Sequence, residues 1–179
     1  MFYKTDYNAP IGRMMIVSDD TRIAGVWLEG QKYFGGVIGE DLLRQDDLPV
    51  LQEAKSWLDR YFAGNKPQIS ELPLAPRGNA FRQAVWRILC AIPYGEVVTY
   101  GDIAKEIARQ RGIKTMSAQA IGGAVGHNPI SVIIPCHRVV GVNGNLTGYA
   151  GGLEVKIKLL THEGVDMEKF FRPIERMAL

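Results

Sequence analysis

A cysteine and a histidine stand side by side in the segment Pro135-Cys-His-Arg-Val139. The thiolate is the reactive form of cysteine, and a neighbouring imidazole is a common base for generating it. The apolar run Val132-Ile133-Ile134 precedes the pair and predicts a short buried strand, and a loop rich in glycine and asparagine, residues 141–148, follows it. A buried structural thiol is the alternative for such a pair. The segment is the first candidate for a nucleophilic site.

Six short segments between residues 79 and 164 are informative in combination. They are Tyr94–Tyr100, Ala120–Ala124, Asn128-Pro129, Ile134–Val140, Gly148–Gly152 and His162–Gly164. In this order they resemble the active-site and DNA-binding motifs of the O6-alkylguanine-DNA alkyltransferases, also called methylated-DNA–protein-cysteine methyltransferases. The first 75 residues resemble that family only in their general pattern.

The resemblance implies an activity in DNA repair. The alkyl group of O6-alkylguanine, with O4-alkylthymine as a second candidate substrate, would pass from double-stranded DNA to Cys136 after the base has been flipped out of the helix. A thioether has no hydrolytic route back, so each protein molecule would act once and irreversibly. The implied partner is double-stranded DNA that contains the lesion, and no cofactor is implied.

The same resemblance implies roles for five catalytic residues. Cys136 would be the nucleophile and alkyl acceptor, and Glu163 would hold the histidine in one tautomer. His137 would be the base and would act through a bridging water, because alternation along a strand turns neighbouring side chains to opposite sides. Asn128 would brace the loop around the site and help to order the relay. Tyr100 would crowd the target phosphate with its ring and donate its hydroxyl to the purine.

A second set of residues is implied to contact the DNA or the extruded base. These residues are Gln119, Ala120, Gly122, Gly123, Arg138, Val139, Tyr149 and Ala150. The backbone around Val139 and Tyr149 would contact the guanine edge, and the Tyr149 ring would wall the pocket. Gln119 stands where the family commonly has an intercalating arginine, and Ala150 where some relatives have serine. For Arg138 the residue type itself favours a structural role, bonding to nearby carbonyl groups.

Three other functions stay open at the level of the sequence. A lesion-binding protein without transfer activity would resemble this chain but lack the cysteine, so Cys136 argues against it. A thiol hydrolase could use Cys136, His137 and Glu163, and it would release its product over many turnovers. A plain helix-turn-helix regulator would not need the Pro-Cys-His-Arg segment, and a sequence-specific operator would be its sign.

The composition is that of an ordinary globular protein with little excess charge. The chain has 179 residues, 46% of them hydrophobic, and a formal net charge of +2, which is weak evidence for nucleic-acid binding. Four basic residues nevertheless cluster at a predicted helix junction: Lys105, Arg109, Arg111 and Lys114. A solvated helix face is the ordinary explanation of such a run, and the position at a helix-turn-helix junction is what favours DNA.

No apolar run approaches the roughly 18 residues that a membrane span needs, and the first residues lack the apolar core of a secretory signal. We therefore expect a cytoplasmic protein that does not engage a membrane, and a monomer without an obligate protein partner suffices for the implied reaction. The two cysteines, Cys90 and Cys136, are expected to be free thiols, with Cys90 in a helix core. Paired metal-ligand motifs are absent, so we predict no metal.

The N-terminal segment predicts an antiparallel sheet covered by a helix. Alternating apolar positions predict three strands, at Phe2–Thr5, Met14–Val17 and Ile23–Leu28. Apolar residues from Leu51 to Phe62 recur with helical spacing, with Asp47 as the expected N-cap and Gly64 as the expected C-cap. Residues 64–79 contain three prolines and no periodicity, which is typical of a linker.

The C-terminal segment predicts helices around a helix-turn-helix. Asn79 is expected to cap one helix, and Thr99 a second helix over Gly101–Gln110. A third helix follows Gly112 and runs from about Ser117 to Val125. Its small residues favour either tight helix–helix packing or close approach to a DNA groove.

The predicted fold is therefore a mixed α/β (α+β) protein of two domains. Residues 1–75 would form the antiparallel sheet, its covering helix and the linker, with a ribonuclease H-like fold implied by the resemblance. Residues 76–179 would form a mostly helical DNA-binding and alkyl-transfer domain that contains the helix-turn-helix and short strands.

Overall fold

The computed structural model, which describes residues 1–36, 38–39 and 41–173, begins with a four-stranded sheet. Its strands are β1 (Phe2–Ala9), β2 (Gly12–Ser18), β3 (Ile23–Leu28) and β4 (Leu42–Arg44), in the order β3-β2-β1-β4. The first three are antiparallel neighbours, which confirms the predicted strands. The fourth pairs parallel to β1 and was not predicted, because three residues carry too little alternation to be recognised.

Helix α1 (Pro49–Phe62) covers one face of this sheet with an apolar stripe that includes Leu51, Leu58 and Tyr61. The predicted cap at Asp47 is wrong: the helix begins after Leu48 without a side-chain cap, and Pro49 supplies a first-turn φ that already suits a helix. The C-cap is Ala63 rather than Gly64. Gly64 follows it with a φ of +84°, the left-handed conformation that glycine adopts without strain.

The predicted linker, residues 64–79, is hydrogen-bonded to the sheet. Residues Ile69–Glu71 form one 3₁₀ turn, and Leu74 makes a parallel bridge with Ile23 of β3. The Ile23 amide donates to Pro73 at 2.7 Å, and the Ala75 amide donates to the Ile23 carbonyl at 2.8 Å. The Trp57 indole nitrogen also donates to the Gln68 carbonyl. The linker therefore extends the packing of the N-terminal segment.

The first three helices of the C-terminal segment begin where the sequence predicts, and a fourth was not predicted. Helix α2 (Ala80–Cys90) is capped by Asn79, whose side chain accepts from the Arg82 amide at 2.9 Å. Strand β5 (Val98–Thr99) leads into α3 (Tyr100–Arg111), which starts with a capping box between Thr99 and Asp102. Helix α4 (Ala118–Gly126) follows with Ser117 as N-cap, and α5 (Leu153–His162) comes last. The predicted pair of helices around Gly112 is confirmed.

The strand predicted at Val132–Ile134 is wrong. This run is a buried turn in which Val132 has a φ of +71°, and the Ile134 amide donates back to the Ile130 carbonyl at 3.0 Å. Residues Cys136–Arg138 form a single 3₁₀ turn, and the strand β6 (Val139–Val140) follows it, parallel to β5. The apolar run reflects burial, which a turn inside a core shares with a strand.

A single hydrophobic core continues from the sheet into the helical part. Its members lie on the sheet, on α1 to α5 and on the buried turn, and include Ile16, Val26, Leu58, Leu89, Ile107, Ile121, Ile133 and Leu159. Backbone hydrogen bonds also join the parts directly: on β3, Val26 donates to Pro129 at 2.8 Å, and Ser131 donates to Val26 at 2.9 Å. The turn before Cys136 is therefore hydrogen-bonded to β3. No helix of the described residues is long and apolar enough to cross a membrane.

Candidate active site and DNA-facing surface

Cys136 begins the 3₁₀ turn and is only 4% exposed. Both cysteines are free, as predicted. Burial raises the pKa of the Cys136 thiol, while a hydrogen bond from Asn128 and the nearby charge of Lys156 lower it. At neutral pH the side chain is therefore a protonated thiol, and forming the reactive thiolate would need a base to take its proton.

His137 lies against Glu163, with 2.7 Å between His137 Nε2 and Glu163 Oε1, and both side chains are fully buried. Burial lowers the pKa of His137 below its ordinary value in spite of the neighbouring carboxylate, so the ring is neutral. A carboxylate oxygen can only accept, so Nε2 carries the proton and Nδ1 the lone pair. Nδ1 receives no hydrogen bond from the described residues. It is therefore the atom available as a base.

Arg138 does not reach a DNA-facing surface, so the expected contact with DNA is corrected. The side chain is 8% exposed, and its Nε donates to Glu163 Oε2 at 2.8 Å. Its Nη2 donates to Glu163 Oε1 at 3.0 Å, and its Nη1 donates to the Ile92 carbonyl at 2.6 Å. The carbonyl contact favoured from the residue type is present, and the ion pair with Glu163 is added to it.

Asn128 closes the buried turn that leads to the cysteine. Its Nδ2 donates to the Ile134 carbonyl at 2.8 Å, and its Oδ1 accepts from the Ile130 amide at 3.0 Å. These two bonds join the start and the end of the turn, so Asn128 braces the backbone immediately before Pro135 and Cys136. Its implied role in ordering the relay stays a prediction.

A cavity of about 680 Å³ lies between α4 and the loop before α5. Its lining includes Tyr100, Gln119, Gly122, Gly123, Tyr149 and Ala150, all of them predicted site residues. The volume lies in the range of small-molecule sites and can admit a purine. Cys136 is not among the lining residues, but burial, and after it the charge of a Cys136 thiolate, raise the pKa of Tyr100 to about 12. The cysteine is therefore electrostatically coupled to the wall of this cavity.

Two predicted base-contacting residues lie outside that lining. Ala120 is exposed on α4 without lining the cavity. Val139 is fully buried: its amide donates to the Cys136 carbonyl, and its carbonyl accepts from Lys156. Tyr100 lines the cavity, but its hydroxyl already donates to the carbonyls of Thr147 at 3.0 Å and Gly148 at 3.1 Å. A bound purine would have to compete with these loop carbonyls for the hydroxyl.

The glycines of α4 are not explained by packing within the protein. A Cβ built on Gly123 or Gly126 meets nothing within 4 Å, and one on Gly122 meets only the Tyr100 ring, at 4.0 Å. Tight helix–helix packing would leave no such space. Of the two explanations that the sequence left open, close approach by a molecule outside the protein fits this surface.

Comparisons with known proteins agree with this arrangement. Residues 80–165 match the DNA-binding domain of the 6-O-methylguanine DNA methyltransferase family, and residues 2–76 match its ribonuclease-like domain. The chain is 43% identical over 163 residues to a methylated-DNA–protein-cysteine methyltransferase of Haemophilus influenzae, covering 91% of this chain and 87% of the relative. The chain belongs to the 6-O-methylguanine DNA methyltransferase family.

Solved structures give the same result for the fold. The crystal structure of the Mycobacterium tuberculosis O6-methylguanine methyltransferase superposes with a TM-score of 0.77 at 34% identity, covering 98% of this chain and 97% of that one. A complex of that organism's protein with DNA superposes with a TM-score of 0.75, covering 94% of each chain. The predicted mixed fold and the predicted family are thereby confirmed.

Sequence reasoning missed three residues at this methyltransferase's site. Lys156 is fully buried in α5, and its Nζ donates to the carbonyls of Val139 and Thr147. Tyr61 of α1 donates its hydroxyl to Glu163 Oε1 at 2.7 Å. Tyr33 lines the cavity from the N-terminal segment. Lys156 could have been found, because it shares the buried face of α5 with Leu159 and Leu160.

Tyr33 brings the N-terminal segment to the rim of the cavity. Its ring stacks on His127, with 3.9 Å between the ring centroids, and the Lys32 amide next to it donates to the Ala150 carbonyl at 3.1 Å. No signal in the sequence indicates that the loop with Lys32 and Tyr33 contacts His127 and Ala150. Among the described residues, no three His, Cys, Asp or Glu side chains are grouped as metal ligands.

Proposed function

We propose that this chain repairs O6-alkylguanine in double-stranded DNA by moving the alkyl group to Cys136, with one lesion repaired per protein molecule. The observation that carries the proposal is the neutral His137, whose Nδ1 lone pair is unoccupied while Glu163 holds Nε2–H. This base adjoins a buried thiol, beside a cavity that can admit a purine. The family assignment supports the same reaction.

In the proposed reaction the thiol proton passes through a water to His137 Nδ1, and the thiolate attacks the alkyl carbon. A carbon–sulfur bond forms while the carbon–O6 bond breaks, and its electron pair stays on the purine. The purine takes a proton and leaves as guanine. The bridging water was inferred from strand alternation, which the 3₁₀ turn replaces. The water nevertheless remains part of the proposal, because no hydrogen bond joins the Cys136 thiol to the His137 ring among the described contacts.

The target base must leave the duplex to reach the cavity, at a cost of a few kcal/mol. We propose that the Gln119 side chain fills the space that the extruded base leaves in the duplex. Gln119 is exposed on α4 and lines the cavity. Tyr149 and Tyr100 supply aromatic walls, and Tyr100 is the proposed donor to the purine. Ala120, Gly122 and Gly123 form the part of α4 that approaches the DNA. The lesion in duplex DNA is thus the proposed partner, together with a cytoplasmic location and a monomeric state.

Intact-mass measurement tests the proposal. The protein is incubated with a duplex that contains O6-methylguanine, and the expected gain is one methyl group on the peptide that contains Cys136. Cys136→Ala abolishes the gain, whereas Cys90→Ala, at the chain's other thiol, leaves it unchanged. Repair of clearly more than one lesion per molecule would indicate a thiol hydrolase. Duplex binding without any methyl gain would indicate a lesion-binding protein.

A further inference from the structure

Glu163 collects hydrogen bonds from three separate parts of the chain. Its Oε1 accepts from His137 Nε2 and from the Tyr61 hydroxyl, each at 2.7 Å. Arg138 donates to both carboxylate oxygens, and the Gly95 amide donates to Oε2 at 3.2 Å. Tyr61 is the only one of these described donors that comes from the N-terminal segment, 102 residues away from Glu163.

We propose that Tyr61 is a positioning residue for alkyl transfer, through which the N-terminal segment fixes Glu163 and thereby the orientation and basicity of His137. The proposal rests on the proposed function, because it assigns a role within that reaction. Tyr61 touches neither the reacting thiol nor the cavity, so it acts only through Glu163 and His137.

Packing fixes the Tyr61 side chain so that its hydroxyl points at Glu163. The residue is 1% exposed. Its ring stacks on Trp57 at 5.6 Å between centroids and meets the Phe62 ring edge-on at 5.0 Å. The Tyr61 carbonyl contacts His162 Nε2 at 2.7 Å, next to Glu163 in the chain. Both the backbone and the ring of Tyr61 are therefore fixed relative to the relay.

The hydroxyl remains a donor at every working pH. Burial raises the pKa of Tyr61 far above its ordinary value, and the adjacent Glu163 charge raises it further. Glu163 itself stays ionised: burial raises its pKa, but the stronger combined effect of His137 and Arg138 holds it well below the ordinary value. A permanent donor thus faces a permanent acceptor, which is the arrangement of a charge-assisted hydrogen bond.

Loss of the hydroxyl has a defined electrostatic consequence. The hydrogen bond from Tyr61 partly neutralises the negative charge of the Glu163 carboxylate. Without that bond, the carboxylate stabilises a protonated His137 more strongly. The pKa of His137 then rises, and the neutral ring that can accept the thiol proton is populated only at higher pH. The charged groups that face His137 from the packed elements are Glu163, Arg138 and Lys156. All three are retained when only the Tyr61 oxygen is removed.

The test compares Tyr61→Phe with a matched control, Tyr7→Phe. Tyr7, on β1, also donates to a carboxylate, Asp59 Oδ1 at 2.8 Å, and none of its described hydrogen bonds reaches Glu163 or His137. Tyr61→Phe is expected to move the acidic limb of the pH–rate profile upward by about one pH unit, which lowers the methyl-transfer rate about tenfold on that limb and much less at pH 7. Tyr7→Phe leaves both unchanged. Duplex affinity, measured in a Cys136→Ala background, stays the same in all variants.

A second measurement does not depend on transfer at all. The chain has three histidines, His127, His137 and His162, so NMR titration can follow His137 in the protein without DNA. The His137 titration moves to higher pH in Tyr61→Phe and stays in place in Tyr7→Phe. If wild-type protein transfers no methyl group, the proposed function fails, while this titration still decides whether Tyr61 acts on His137.

Three results would overturn the role of Tyr61. One is a Tyr61→Phe variant with the rate, pH profile and His137 titration of the wild type. Another is a rate loss accompanied by a lower melting temperature but no change in the pH profile, which would make the residue merely structural. Should Tyr61→Phe not fold, wild-type NMR decides: a freely flipping Tyr61 ring and a rapidly exchanging hydroxyl would contradict the proposal.

Discussion

At the scale of single residues, opposing influences set the reactivity of Cys136. Burial raises the pKa of the thiol, and the Asn128 hydrogen bond and the Lys156 ammonium lower it. Lys156 is an unusual cation, because burial lowers its own pKa to about 8. It carries its charge below that pH and loses it as the pH rises through 8. The help that it gives to the thiolate should therefore depend on pH.

We expect Lys156→Met to slow methyl transfer about tenfold below pH 8, which corresponds to a rise of about one unit in the pKa of Cys136. The difference from wild type should shrink above pH 8, where the wild-type lysine is itself neutral. Methionine matches the length of the side chain, so the core stays filled. Transfer rates between pH 6 and 9.5 provide the measurement. Lys158→Met, on the exposed face of the same helix, is the control, and equal profiles for all three proteins would refute the effect.

Glu163→Gln should be strongly destabilising, by about 3–5 kcal/mol at pH 7, because it leaves the buried Arg138 guanidinium without a countercharge. The pKa of Glu163 is lower in the folded than in the unfolded protein. Its contribution to stability is therefore complete above the ordinary carboxyl pKa and is lost as the pH falls through the folded value.

Urea unfolding at pH 7, 5 and 3.5 tests this expectation. The difference between wild type and Glu163→Gln should narrow only below about pH 4.5, where the unfolded carboxyl takes up a proton. Glu71→Gln, which breaks an exposed ion pair with Arg60, should have little effect at any of these pH values. A constant difference between the wild-type and Glu163→Gln unfolding energies across the three pH values would be inconsistent with the lowered pKa.

At the scale of elements, helix α4 presents Gln119 where the family commonly has an arginine. Gln119 is exposed and lines the cavity, as an intercalating residue should. Gln119→Arg adds a charge and a planar group near the phosphates, so duplex binding should tighten and become more dependent on salt. Repair at limiting protein should then be faster. Gln52→Arg, which adds the same charge to α1, is the matched control for affinity measured against salt concentration.

The converse variant separates base flipping from chemistry. Gln119→Ala should slow repair of the lesion in duplex DNA more than the reaction with free O6-benzylguanine, because the free base needs no flipping. Single-turnover rates with the two substrates provide the comparison. Equal slowing of both reactions would mean that Gln119 supports the pocket or the fold instead.

Local signals explain which elements the sequence could predict. The starts of α2, α3 and α4 follow from Asn79, Thr99 and Ser117, because a capping side chain bonds to an amide three residues ahead. Strand β4 and the turn at Val132–Ile134 depend on distant partners, and an apolar run alone cannot tell a buried turn from a strand. The errors therefore lie where tertiary contacts decide the backbone.

At the scale of the whole molecule, the site is assembled from segments that are far apart in the sequence. The adjacent pair Cys136 and His137 could be recognised from the chain alone. Tyr61 could not be assigned in that way, because it becomes part of the site only when α1 packs against Glu163. The buried position of Lys156 follows from the spacing along α5, but its contact with Val139 does not. The proposed relay thus includes a contact between the N-terminal and C-terminal segments.

These contacts bear on the division into domains 1–75 and 76–179, which stays a prediction, with residues 174–179 outside the described part. Hydrophobic residues from both segments belong to one core, and the Val26 backbone bonds to Pro129 and Ser131, where the buried turn begins. A shared core of this kind makes separate unfolding of either segment costly, because each would expose its partner's apolar surface. We therefore expect the two segments to unfold in one transition.

The three tryptophans allow that expectation to be measured in each segment. Trp86→Phe leaves Trp27 and Trp57 as reporters of residues 1–75, and the double variant Trp27→Phe/Trp57→Phe leaves Trp86 in α2 as the reporter of residues 76–179. In each variant, the urea midpoint from fluorescence should coincide with that from far-UV circular dichroism, which is dominated by α2–α5. An N-terminal reporter that melts at lower urea would contradict a single transition. In that case the bond between Tyr61 and Glu163 would join two independently stable units, and the relay would be disordered first whenever they separate.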